Sequence, residues 1–197
     1  MNLARILAFK LTLLLAFVMG RATAQTVALR TNLLYDATLS PNLGAELRVD
    51  SLWSIGMTVG LNAWDIDNRP DHNKNWRHLL VAPKVRRYLN DTLMHKGYLE
   101  INGIYSHYNV SNVKFPFGLY KSVRDRRLQG DLLALGGKYG YSWILARDWR
   151  IEAELGVAVG YAWFKEYDCP HCGTYLGEGD RIFLLPQLGI NVVYIIN

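Results

Sequence analysis

The chain has 197 residues, of which 50% are hydrophobic and 12% aromatic, and its formal net charge is +5. This length suits a single domain, and no repeat, low-complexity segment or block of like charge divides it. Three of the positive charges lie within residues 1–24, so the charge of the remainder is +2 (5 − 3). A balance this close to neutral argues against a nucleic-acid-binding protein.

Residues 1–24 have the composition of a secretory signal peptide. Basic residues precede an apolar run over residues 11–19, and Ala22-Thr23-Ala24 supplies an A-x-A cleavage site. The apolar run is too short to cross a bilayer as a helix. We therefore expect an exported mature chain, residues 25–197.

The mature chain consists of segments in which apolar side chains alternate with small or polar ones, the period of a β-strand with two different faces. In the clearest segment, residues 150–163, one face is aliphatic and aromatic while the other carries Arg150, Glu152, Glu154 and small residues. Segments of this length suit tilted strands that cross a membrane. The pattern predicts an all-β fold, an eight-stranded antiparallel transmembrane β-barrel. The eight predicted strands are residues 27–36, 42–50, 52–64, 77–89, 97–109, 130–143, 149–164 and 181–196.

The connections between these segments alternate in length, as they do in outer-membrane barrels with short periplasmic turns and longer outer loops. The even-numbered connections are short, and three of the four odd-numbered ones are longer, at residues 65–76, 111–129 and 165–180. Alternation alone does not exclude a secreted β-sandwich, which stays open as an alternative. Aromatic residues also gather at the strand ends, as interfacial girdles do. We assign Trp53, Tyr88, Tyr98, Trp143, Trp149 and Tyr194 to the turn end, and Tyr35, Trp64, Trp76, Tyr108, Trp163 and Phe183 to the loop end.

The face predicted to point into the barrel carries five bases and four acids, interleaved with glycines. Side chains fill the interior of an eight-stranded barrel, and buried charges persist only when they are paired. We therefore expect a salt-bridge network that closes the lumen, rather than a conducting pore. Its predicted members are Arg30, Glu46, Arg48, Lys84, Arg86, Glu100, Lys138, Glu152 and Glu154.

The long connection at residues 111–129 interleaves bases with aromatic side chains. On the outer face of a barrel, such bases are suited to lipopolysaccharide phosphates. Solvated bases beside rings packed on the rim would give the same composition. The loop bases are Lys114, Lys121, Arg124, Arg126 and Arg127.

Cys169 and Cys172 are the two cysteines of the chain and lie in the last outer connection. Outside a reducing compartment, closely spaced thiols tend to form disulfides, so the pattern favours a bond between these two. A zinc site that adds His171 or Asp168, and a redox centre, remain alternatives.

Outside the cysteine pair, no arrangement of side chains predicts a catalytic site, a metal site or a cofactor. Ser106 and His107 are adjacent on one predicted strand, so they point to opposite faces and cannot act as nucleophile and base. His72 and His78, with three aspartates at positions 65, 67 and 71, form a polar cluster at the second outer loop. We interpret that cluster as a solvated loop.

Three motifs resemble a family of small outer-membrane barrels described as a domain of unknown function. They are Thr31-Asn32-Leu33-Leu34-Tyr35-Asp36-Ala37-Thr38 with Pro41-Asn42-Leu43-Gly44, then Tyr167-Asp168-Cys169-x-x-Cys172-Gly173, and Gly189-Ile190-x-x-x-Tyr194-Ile195. The resemblance covers essentially all of the mature chain. It implies a link to surface pili or envelope organisation, because members are often encoded beside fimbrillin-type adhesins, and it carries no catalytic residues. The chain departs from that pattern at Ile182-Phe183-Leu184-Leu185-Pro186 and ends in Ile-Ile-Asn rather than an aromatic residue.

Together these observations predict a non-enzymatic outer-membrane barrel with a structural, anchoring or adhesive role. The expected partners are outer-membrane lipid, lipopolysaccharide and a surface adhesin or envelope protein, without nucleic acid or a cofactor. The alternatives are an outer-leaflet lipid-modifying enzyme and a secreted β-sandwich that binds a ligand. Asp50-Ser51-Leu52 and Asp91-Thr92-Leu93 also resemble a short O-glycosylation acceptor.

Overall fold

A computed structural model describes residues 26–67, 74–90, 94–112, 126–168 and 173–196, so the predicted signal peptide lies outside the described residues. No helix within these ranges is long and apolar enough to cross a bilayer. In chain order the elements are β1 Val27–Asn32, α1 Leu33–Ala37, β2 Asn42–Arg48, β3 Trp53–Asn62, β4 Asp65–Asp67, β5 Lys74–Tyr88, β6 Lys96–Ser111, β7 Arg126–Ile144, β8 Trp149–Asp168 and β9 Tyr175–Ile196.

The predicted all-β architecture is confirmed: eight antiparallel strands form one sheet that closes into a ring. The order of strands is β3-β2-β1-β9-β8-β7-β6-β5, and β3 pairs with β5 to complete the ring. The short β4 pairs only with the end of β5. Paired residues followed around the ring from Leu185 on β9 lead back to β9 at Ile195, a stagger of ten residues (195 − 185). Such a stagger accompanies strands tilted by roughly 35–45° to the barrel axis.

The two faces of the strands differ as the alternating sequence predicts. Leu155 and Val157 on β8 point outward and are 64% and 52% exposed, whereas Glu152 and Ala158 point inward and are buried. Outward aliphatic residues of this kind continue around the ring, and we call them the apolar belt. The apolar belt consists of Ile55, Met57, Val59, Leu61, Val85, Leu99, Ile101, Leu133, Leu135, Leu155, Val157, Val159, Ile182, Leu184, Leu188 and Ile190.

The barrel wall is uneven in height at its loop end, where the connections after β1, β3, β6 and β8 lie. β9 pairs with β8 from Tyr194 up to Tyr175, but with β1 only over Asn191–Ile196. The last outer loop is therefore much shorter than the predicted 165–180 segment, because β8 and β9 continue as a hairpin to Asp168 and Tyr175. The polar residues there look like a loop in sequence, but cross-strand ion pairs hold them in the sheet, including Arg126 Nη1–Glu166 Oε2 at 2.7 Å.

The prediction of a strand over residues 27–36 is wrong beyond Asn32. The Asn32 side chain accepts a hydrogen bond from the Leu34 N–H at 3.0 Å and starts the helix α1 instead. Asp36 fixes the turn by accepting from the Thr31 hydroxyl at 2.8 Å. Asn is a favoured N-cap residue because its side chain satisfies a backbone N–H that lacks a helical partner.

The predicted aromatic girdles are correct only in part. Trp53, Trp143 and Trp149 are 43%, 48% and 47% exposed near the turn end, as expected for girdle residues. Tyr88 and Tyr98 were assigned to the same girdle, but they point into the barrel, where they are 2% and 0% exposed. At the loop end, Trp76 and Tyr108 also depart from the prediction, because they pack against the inward Val110, Leu128 and Phe164.

Candidate functional site

The lower half of the lumen is occupied by a charged network centred on Arg86. The guanidinium of Arg86 lies 2.5 Å from Glu100, 3.1 Å from Glu152, 3.2 Å from Glu154 and 3.3 Å from Glu46, measured between nitrogen and carboxylate oxygen. These four glutamates lie on β2, β6 and β8, on different sides of the ring. One buried arginine therefore links opposite walls of the barrel.

Two further bases complete the pairing of the four glutamates. Arg30 pairs with Glu46, and its Nη1 lies 2.7 Å from Glu152 Oε2. Lys138 Nζ lies 2.7 Å from Glu100 and 2.8 Å from Glu154. Every glutamate of the network thus contacts at least two bases, so no carboxylate is buried without a charged partner.

Hydroxyl groups and one aromatic face supplement these ion pairs. The Tyr88 hydroxyl donates to Glu46 at 2.8 Å, and the Tyr98 hydroxyl donates to Glu152 at 3.1 Å. The Tyr98 ring also lies 4.1 Å from the Arg86 guanidinium carbon, in cation–π geometry. Neither tyrosine was predicted from the sequence as a member of the network. Each lies two residues from an inward charged residue, Tyr88 from Arg86 and Tyr98 from Glu100, so alternation along the strand could have placed it on the inward face.

Of two further residues predicted in the network, Lys84 is buried in the lumen beside it, where it lines a cavity with Glu100 and Lys138, whereas Arg48 lies apart at the turn end. Lys84 is buried and its ammonium donates to the Thr58 hydroxyl at 3.4 Å, without an ion pair to a described residue. Arg48 lies at the turn end and donates to the backbone carbonyls of Asp50 and Ser51 at 3.0 and 2.7 Å. The predicted Asp50-Ser51-Leu52 motif therefore forms part of a hydrogen-bonded turn, whereas Asp91-Thr92-Leu93 lies outside the described residues.

A small cavity of about 40 Å³, with both polar and apolar lining residues, remains beside the charged network. It is lined by charged residues of the network and, on its loop side, by Tyr35 of α1 together with Asn102, Gln187 and Asn191. Asn102 donates to Gln187 across the lumen at 2.9 Å. Since a buried water needs roughly 10–15 Å³, the cavity has room for about three waters and not for an organic ligand.

The residues of the first family-like motif form one hydrogen-bonded cluster beside α1. Asn42 on β2 accepts from the Asn32 N–H at 2.8 Å and donates to Asp36 at 3.0 Å. Together with the Thr31–Asp36 bond, these contacts fasten the helix to the β1–β2 hairpin. The cluster accounts for the spacing of the motif by local structure.

The bases of the long outer loop are only partly described. Arg126 pairs with Glu166, and Arg127 donates to Asn109 at 2.9 Å while its guanidinium lies 5.8 Å from the Tyr167 ring centroid. Both bases are therefore engaged within the β6–β8 extension. Lys114, Lys121 and Arg124 lie outside the described residues.

A second candidate site is a groove of about 540 Å³ on the outer wall of β6 to β9. Its centre is Trp163 on β8, which is paired with Asp131 on β7 and Asp180 on β9. The Tyr105 hydroxyl donates to Asp131 at 2.8 Å, and His107 Nδ1 lies 2.9 Å from the same oxygen. The groove is lined by His107, Gln129, Gly130, Asp131, Tyr161, Trp163, Phe164, Lys165, Tyr167, Glu178, Gly179 and Asp180.

These contacts set the charge state of the groove, which lies beyond the apolar belt. Slight burial raises the pKa of the Asp131 carboxyl, but hydrogen bonds from His107 and Tyr105 outweigh this effect and hold the pKa below its ordinary value. Sequence reasoning considered partners for His107 only on its own strand and so missed Asp131. Ser106 is buried in the lumen and His107 is exposed outside, so the two residues lie on opposite faces.

Neither metal ligands nor the cysteine pair can be assigned from the described residues. Within them, no group of three or more His, Cys, Asp or Glu could hold a metal ion. His78 lies beside the Trp76 carbonyl, with its Nδ1 at 3.3 Å, while His72 lies outside the described residues. Cys169 and Cys172 also lie outside them, so their disulfide stays a prediction.

Comparison with known protein families identifies the family of the chain, whereas comparison with individual proteins does not. No curated protein and no solved structure matched the chain. The profile of one protein family matched residues 9–196, nearly the whole sequence. The chain therefore belongs to the family described as "Protein of unknown function (DUF3575)".

Proposed function

We propose that the protein is an outer-membrane β-barrel whose closed lumen suits a structural or anchoring role rather than transport. The observation that carries this proposal is the combination of an apolar outer belt with a charged core, the reverse of a water-soluble protein. Export by the predicted signal peptide would deliver the chain to the compartment where such barrels assemble.

The apolar belt supports insertion in lipid. Leu135, Leu155 and Ile182 are 67%, 64% and 71% exposed, and similar residues surround the ring. Monomeric proteins in water rarely expose apolar patches larger than a few hundred Å². A closed barrel also satisfies its backbone hydrogen bonds within the ring, as hydrocarbon requires of any spanning structure.

The network around Arg86 supports a lumen that does not conduct. Arg86 and the four glutamates cross the lumen, and the cavity beside them holds about 40 Å³. Channels for hydrated solutes need wider barrels than eight strands provide. In this proposal, the described part of the lumen offers no water-filled path of the porin kind.

An anchoring role fits what remains accessible. With the lumen filled, the loop end and the outer wall are the surfaces available for partners. The resemblance noted from the sequence implies an adhesin or envelope protein as the partner, in line with a role in surface attachment. An outer-leaflet lipid enzyme has less support, because His107 and Asp131 have no serine or cysteine beside them in the described groove.

Refolding of the purified mature chain tests membrane insertion. The chain should fold with added phosphatidylcholine vesicles or detergent, and the folded form should migrate differently on a gel before and after boiling. As a matched control, the same chain in buffer without lipid should aggregate or remain unfolded, because the apolar belt has no partner there. A monodisperse, folded protein in lipid-free buffer would contradict the proposal and favour the secreted β-sandwich.

A further inference from the structure

The groove on the outer wall begins where the apolar belt ends. Leu133 on β7 and Ile182 on β9 are the last residues of the apolar belt on this side, and both are paired with Tyr161 on β8, at the edge of the groove. Two residues further along the same strands, roughly 7 Å, the next outward row is Asp131, Trp163 and Asp180. The character of the wall thus changes from aliphatic to aromatic and carboxylate within one row.

This second row is held in a fixed arrangement. The hydroxyl of Tyr161 donates to Asp180 at 2.9 Å, and that of Tyr105 donates to Asp131 at 2.8 Å. Trp163 lies between the two carboxylates and is 38% exposed, and its ring centroid is 5.9 Å from that of Tyr161. An aromatic surface therefore stands between two carboxylates whose positions are set by neighbouring hydroxyls.

The charge of the groove disfavours an anionic ligand. The three acids Asp131, Glu178 and Asp180 face Lys165, whose ammonium already lies 3.8 Å from Glu178, and His107, whose Nδ1 lies 2.9 Å from Asp131. A phosphate would meet more acids than bases there. A ligand rich in hydroxyl donors would instead form charge-assisted hydrogen bonds with the carboxylates.

We infer that this groove binds the sugar headgroup of a glycolipid in the membrane around the barrel. The apolar face of a sugar ring would lie on Trp163, and its hydroxyls would donate to Asp131 and Asp180. A volume of about 540 Å³ is in the range of small-molecule sites, which combine apolar surface with a few placed polar groups. The lipid source follows from position, because the acyl chains of such a ligand would lie along the row of Leu133, Tyr161 and Ile182.

This inference rests on the proposed insertion in lipid, and the experiment separates the two. The protein is incorporated in phosphatidylcholine nanodiscs that contain digalactosyl diacylglycerol, and the glycolipids retained per barrel are counted by native mass spectrometry. Failure to enter the nanodiscs would reject the membrane proposal. Entry with no glycolipid retained above the bulk level would reject only the sugar site.

Matched variants locate the site on the wall. Trp163→Ala and Asp131→Asn should each weaken glycolipid retention roughly tenfold, the loss expected for one charge-assisted bond or one aromatic contact. Trp149→Ala removes a tryptophan of similar exposure from the opposite end of β8, and Asp50→Asn removes a carboxylate from a turn-end connection. Both control variants should retain glycolipid as the native chain does.

Three results would overturn the inference. Equal retention by the groove variants and the native chain would show that the groove does not bind the headgroup. Equal retention of phosphatidylglycerol would show that sugar is not what is recognised. Displacement of the glycolipid by free digalactose at the same concentration would show that the ligand is a soluble sugar rather than a lipid.

Discussion

Replacing Arg86 with methionine tests whether the charged network holds the barrel together. The substitution keeps a long side chain but removes contacts of 2.5, 3.1, 3.2 and 3.3 Å to four buried carboxylates. Removing one partner of a buried ion pair typically costs about 3–5 kcal/mol, because it leaves charge without compensation in a poorly solvated site. The lost contact with the Tyr98 ring falls within that range rather than adding to it. We expect Arg86→Met to lower the free energy of unfolding by about 3–5 kcal/mol.

The assay is urea unfolding of the vesicle-inserted protein, followed by tryptophan fluorescence, with free energies taken from the midpoint and slope. Arg48→Met is the matched control, because Arg48 lies at the turn end, where it donates to the backbone carbonyls of Asp50 and Ser51, and its loss should cost about 1 kcal/mol. Arg86→Met with Glu100→Gln should recover part of the loss, since the carboxylate nearest the lost guanidinium, which Lys138 alone among the described bases would still contact, becomes neutral. If Arg86→Met and Arg48→Met are equally stable, the network does not stabilise the fold and the reasoning is wrong.

Two further predictions concern the wall. Leu135→Arg, at mid-belt, should lower the free energy of unfolding in lipid by roughly 2–4 kcal/mol, whereas Leu176→Arg in the exposed hairpin should lower it by about 0–1 kcal/mol. A refolding titration that gives similar losses for the two variants would contradict the assignment of Leu135 to the lipid-facing belt. Gly140→Ala should lower the free energy of unfolding by about 1–3 kcal/mol, because the added Cβ would lie 2.2 Å from the Tyr98 ring. Gly137→Ala on the same strand is the control: its added Cβ would meet no atom nearer than 3.8 Å, so this variant should unfold like the native chain.

Strand number, sheet closure and face assignment could be predicted from the sequence because they follow from a period of two. Along β8, Glu152 and Glu154 share one face while Leu155 and Val157 share the other, and this division is visible without a structure. The residues predicted to face inward therefore include most members of the network. Their contacts could not be predicted from the sequence, since the pairing of Arg86 with carboxylates on β2 and β8 depends on the ten-residue stagger of the ring.

The errors in the sequence-based predictions also arise from contacts that alternation along a strand does not encode. His107 and Asp131 are 24 residues apart and meet only through the register of β6 with β7, so the groove had no pattern in the sequence. Tyr88 and Tyr98 resemble girdle residues in composition, but their inward position makes them hydrogen-bond donors in the lumen. The strand ending at Asn32 was predicted too long because the N-cap depends on a side-chain contact rather than on hydrophobic period.

Single-channel recording in planar bilayers tests the central claim, a membrane barrel with a closed lumen, most directly. The protein is added from vesicles in which insertion has been verified by its shift in gel migration on heating. The account predicts no steady conductance of porin size, because Arg86 and its four glutamates cross the lumen and the cavity beside them is only about 40 Å³. Large, steady conductance steps from inserted protein would contradict it.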